Sequence, residues 1–96
     1  MSEDKLLKAR VLGDQAKNLM NDEAFTQSVE AVKAEIIKLW TSSKSPEERE
    51  RAWQALHLAE KITDAIATTY NNGKLANIEL EEIIAVRERR KIFGVI

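Results

Sequence analysis

The 96-residue chain contains no cysteine, which excludes a disulfide framework, thiol catalysis and cysteine-ligated zinc. Proline occurs once, at Pro46, and glycine three times, at Gly13, Gly73 and Gly94. Those are too few turn formers for a small all-β domain. Neither sign of charge dominates: 15 Lys and Arg face 16 Asp and Glu, for a net charge of −1 and a pI near 5.9. No global field therefore draws the chain to nucleic acid or to an anionic membrane. Long apolar runs are missing as well. The longest, Ile83-Ile84-Ala85-Val86, falls far short of the ~20 residues that span a bilayer. The opening Met1-Ser2-Glu3-Asp4-Lys5 is acidic and lacks the basic flank and apolar core of a signal peptide. The expectation is a soluble, intracellular protein without a membrane partner.

Apolar residues make up 44% of the chain and charged residues 32%, a balance that fits a folded domain and argues against wholesale disorder. The length suits one domain over residues 1–96. So short a chain buries only about 60–65% of its unfolded surface, and self-association or a partner commonly completes its core.

Periodicity predicts an all-α fold. Ser2 is a candidate N-cap, and Glu3 and Asp4 suit the positive end of a first helix over about 3–20. Gly13 in its interior costs on the order of 1 kcal/mol and marks an expected bend. Asn21-Asp22-Glu23 opens a second helix, about 22–41, whose Phe25, Val29, Val32, Ile36 and Leu39 or Trp40 form one apolar stripe. After the polar loop Thr41-Ser42-Ser43-Lys44, Ser45-Pro46-Glu47-Glu48 is a capping box. Ser45 caps, Pro46 takes the first helical position, and Glu48 reaches back toward the Ser45 N–H.

This third helix is expected over about 46–71, ended by Gly73 in a left-handed C-cap. It carries a row of Ala52, Leu56, Ala59, Thr63, Ile66 and Tyr70 beside a second row of Ala55, Leu58, Ile62 and Ala65. Two rows make a face wide enough for more than one neighbour. A last helix, about 77–91, has acids first and bases last, in keeping with its dipole. The short loop predicts an antiparallel hairpin of helices two and three with flanking N- and C-terminal helices, and a basic, apolar tail over 87–96.

Searches for chemistry return little. Isolated glycines cannot build a phosphate-cradling loop. The one histidine, His57, has Gln54 three positions before it, so no Glu-x-x-His metal motif exists. No nucleophile lies beside His57 at helical spacing, and the side chain reads as a partly exposed residue stacked near Trp53. The pairs Glu47/Glu48 and Glu81/Glu82 sit in helix first turns, where acids are favoured without any catalytic role, and adjacent residues do not face each other. The chain reads as a non-enzyme with no cofactor and no metal.

The residues that invite a contact role are Trp40 and Trp53, either bracing the hairpin core or serving as interface anchors, together with the tail. There Arg87, Arg89, Arg90 and Lys91 precede Ile92, Phe93 and Ile96. Basic residues followed by apolar anchors suit a docking segment better than a nucleic-acid reader, which carries a clearer basic face.

Asn21-Asp22-Glu23-Ala24-Phe25, Leu39-Trp40, Glu48-Arg49-Glu50-Arg51-Ala52-Trp53 and Asn72-Gly73-Lys74-Leu75-Ala76 together resemble a set of small helical proteins of tailed bacteriophages. The likeness spans about residues 15–77. Those proteins are of unassigned function and often encoded among head and packaging genes. The resemblance implies a phage setting, in the host cytoplasm or with the virion, and no enzyme activity.

Three functions follow as expectations. The first is a virion-assembly or accessory protein that forms homo-oligomers and docks on another phage or host protein. Its apolar anchors would be Trp40, Trp53, Ile92, Phe93 and Ile96, with Arg87, Arg89, Arg90 and Lys91 as its basic contact. The second is a small DNA-binding packaging factor, resembling the helical regions of small terminase subunits. The third is a counter-defence protein that sequesters a signalling nucleotide or inhibits a host enzyme.

Overall fold

The computed structural model describes residues 2–92, all in helices or in the short turns that join them. Helix α1 spans Glu3–Met20, α2 Glu23–Thr41 and α3 Pro46–Ile92. The starts are set by side chains. Ser2 Oγ accepts from the Lys5 N–H at 3.3 Å, and Asp22 Oδ1 accepts from the Phe25 N–H at 2.7 Å as the cap of α2. Ser45 Oγ accepts from the Glu48 N–H at 3.1 Å. Glu48 does reach back, but to the N–H of Lys44, at 2.8 Å, one residue beyond the expected partner.

Two expectations are corrected. The all-α class holds, yet the described residues form three helices, not a hairpin with separate flanking helices. The expected segments 46–71 and 77–91 are one 47-residue helix, and Gly73 lies inside it. Asn77, expected to open a fourth helix, donates instead to Glu81 one turn on, at 3.4 Å. Gly13 likewise sits within an unbroken α1. The reason is tertiary: Gly13 and Gly73 face each other. A methyl built on either would lie 2.7 Å from the other's Cα, and one on Gly73 would lie 3.0 Å from the carbonyl oxygen of Ala9. Both glycines are there for closeness of approach.

The chain divides into two compact units, one of Met1–Lys17 with Thr68–Ile96 and one of Asn18–Ala67. In the first, α1 runs antiparallel to the second half of α3. Gly13 meets Gly73, Leu6 packs with Ala76 and Leu80, and Glu3 pairs with Arg87. The α1 row Leu6, Ala9, Gly13, Ala16 is spaced 3, 4, 3, and so is the α3 row Gly73, Ala76, Leu80, Ile83. Matched rows of small residues let the backbones close while the leucines fill the wider end. Leu6 is 1% exposed, and burying such a side chain is worth about 1.5–3 kcal/mol.

In the second unit, α2 runs back along the first part of α3. Phe25 and Val29 share a cavity with Thr63 and Ile66, and Ile36 and Trp40 share another with Ala52 and Leu56. The contact is shallow. No residue of α2 is buried, and within Asn18–Ala67 only Ala52 is.

Candidate interaction surfaces

Trp40 on α2 and Trp53 on α3 come together. With Ile36, Ile37, Ala52 and Leu56 they line an apolar cavity of about 250 Å³. Each is half exposed, 49% for Trp40 and 55% for Trp53, so each ring both braces the hairpin and presents a face outward. The Trp53 ring stacks on His57 with centroids 5.3 Å apart and planes within 7°, as the sequence suggested.

The two rows of α3 differ in cover. Along the first, Ala52 is buried and Leu56, Ala59 and Ile66 are half-buried, with α2 lying against Ala52, Leu56 and Ile66, while Thr63 is exposed and Tyr70, half-buried, lies in the other unit. Along the second, Ala55, Leu58, Ile62 and Ala65 are all exposed, Leu58 at 61% and Ile62 at 54%.

The basic cluster is less available than its sequence suggests. Arg87 is ion-paired with Glu3, which ties it to α1 in place of a partner. Lys91 lies 3.6 Å from Glu88. Among the described residues, Arg89 and Arg90 make no ion pair, and Arg90 lines a shallow groove with Glu79, Glu82, Ile83 and Val86. Ile92 is exposed at the end of α3. Phe93 and Ile96 lie outside the described residues. Trp40 and Trp53 are thus brought together, while the basic cluster and Ile92 belong to the other unit.

One site escaped the sequence reading. At the Gly13–Gly73 crossing, α1 presents Arg10, Asp14 and Lys17 and α3 presents Tyr70, Lys74 and Asn77, around a cleft of about 230 Å³. The signal was the 4, 3 spacing of polar residues flanking each glycine, which is visible only once the glycines are known to face each other. Among the described residues, no group of three or more His, Asp or Glu could hold a metal ion, and no helix is long and apolar enough to cross a membrane.

Comparison with known proteins finds no match: no family model, no curated protein and no solved structure.

Proposed function

We propose that the protein works by self-association and docking of its helices, as a binding or assembly component and not as a catalyst. The observation that carries this reading is the exposed row Ala55, Leu58, Ile62 and Ala65, lying beside a row that α2 covers. In the unit Asn18–Ala67, seven large apolar side chains stay about half exposed: Val32, Ile37, Leu39, Trp40, Trp53, Leu58 and Ile62. They lie on two flanks of the α2/α3 pair, with Leu39 on the side of Ala55 and of the row that carries Leu58 and Ile62, and Ile37, Trp40 and Trp53 on the other. Two helices cannot enclose a core, whereas two such hairpins supply the four helices of a bundle. A second copy of this chain is therefore the occupant, and the near-zero net charge sets up little repulsion between copies.

Trp40, Trp53 and Ile92 serve as outward anchors in this reading. The virion-assembly setting rests on the residue layout of 15–77 alone. The DNA-packaging alternative is weakened, because Glu3 and Glu88 already lie against two of the four tail cations.

The test is absolute mass by light scattering on a sizing column, for the native chain and for Leu58→Glu/Ile62→Glu. Glutamate is a good helix former, so the expected result is loss of assembly with helicity retained. An unchanged oligomer in the variant would refute the α3 row as its seam.

A further inference from the structure

The cleft at the Gly13–Gly73 crossing is built differently from the apolar hollows beside Phe25 and beside Trp40. Its floor is backbone. A methyl on Gly13 would lie 2.7 Å from Gly73 Cα and 3.4 Å from the Thr69 carbonyl oxygen, so nothing larger than hydrogen fits there. The side chains that would otherwise fill the crossing are displaced to its rim. On that rim stand three cations, Arg10, Lys17 and Lys74, against one carboxylate, Asp14. None of the three cations makes an ion pair among the described residues, although Asp14 shares their cleft. Like charges gathered at a concave surface repel one another, and an anion seated among them removes that cost. Tyr70 is half-buried at the same rim, and the Lys74 ammonium lies 5.2 Å from its ring centroid. Lys74 thus rests over one face of the Tyr70 ring, and moving its ammonium onto a phosphate frees that face for a planar group.

We propose that this cleft binds a small phosphorylated ligand that carries a flat ring, of mononucleotide size. The volume, about 230 Å³, lies below the ~300–1,000 Å³ of typical ligand sites, so a ligand of this size is held by its ring and phosphate and stays partly in solvent. Arg10 offers the planar fork that matches phosphate oxygens in pairs, and Lys17 and Lys74 act as point charges. The Tyr70 ring stacks on the planar group. Asn77 and Asp14 supply a donor and acceptors for the ligand's hydroxyl and ring-edge groups. All eight lining residues belong to the unit of Met1–Lys17 and Thr68–Ile96, so the site is complete in one chain and independent of the seam on Leu58 and Ile62.

Calorimetric titration of the full chain at low salt with 5′-AMP, 5′-UMP, ribose 5-phosphate and inorganic phosphate tests this. The expected result is binding of both nucleotides, weaker binding of ribose 5-phosphate and inorganic phosphate, and a fall in affinity as salt rises. Arg10→Ala and Lys74→Ala should each lose at least about tenfold, as for a charge-assisted hydrogen bond. Tyr70→Ala should lose binding, and Lys61→Ala, an exposed position outside the cleft, should bind as the native chain does. Circular dichroism of each variant establishes that the helices persist, as expected for changes at a rim. No heat with either nucleotide would overturn the proposal. So would unchanged affinity in both cation variants, or ribose 5-phosphate binding as tightly as AMP.

Discussion

Adding one methyl group to Gly13 separates two opposing effects. On an isolated helix Gly→Ala stabilises by about 1 kcal/mol, since alanine is the better helix former. Here the new Cβ would meet Gly73 Cα at 2.7 Å, and backbone cannot swing aside as a side chain does. The helices must part, which loosens Leu6 against Ala76 and Leu80. Overpacking of this kind costs about 1–3 kcal/mol, so the net sign is destabilising. Thermal unfolding at fixed protein concentration should show Gly13→Ala melting several degrees below the native chain, and a higher melting temperature would contradict the close crossing. Arg87→Ala should behave differently. Its partner Glu3 and its own side chain are both more than a third exposed, and surface ion pairs contribute about 0–1 kcal/mol. Little change in melting temperature is expected.

The helix starts were legible because they are written locally. Ser2, Asp22 and Ser45 each stand just before a helix and each accept the N–H bond that a cap should accept. Asp22→Ala and Ser45→Ala should each lower stability by about 1 kcal/mol, measured by chemical denaturation. An unchanged midpoint in both would contradict capping as what fixes these starts. The end of α3 was not legible, for the converse reason. Asn71-Asn72-Gly73 has the local form of a C-cap, but Gly73 answers to Gly13, sixty positions away in sequence. No window around residue 73 contains that information. The same non-locality hid the polar cleft, whose two rims come from α1 and α3, whereas the short loop was enough to place Trp40 and Trp53 both toward the loop end of their helices. The stripe arithmetic along α3 succeeded in another respect. It pointed to more than one neighbour, and the uncovered row Ala55, Leu58, Ile62 and Ala65 leaves a place for the second.

At the scale of the whole molecule, the buried apolar residues among those described are Leu6, Ala16, Ala76 and Leu80 in one unit and Ala52 in the other, thin cores for units of this size. Small scaffolds with thin cores gain stability from a further element such as oligomerisation, and the exposed row of α3 gives that element a location. Stability should then depend on concentration, because assembly favours the folded state by mass action. The melting temperature is expected to rise as the protein is concentrated, and a concentration-independent value would argue for a self-sufficient monomer. The most direct measurement is the absolute mass of the unmutated 96-residue chain by sedimentation equilibrium at micromolar concentration. The account predicts a whole-number multiple of 10.9 kDa, two or greater. A single species at the monomer mass across the accessible concentration range would contradict it.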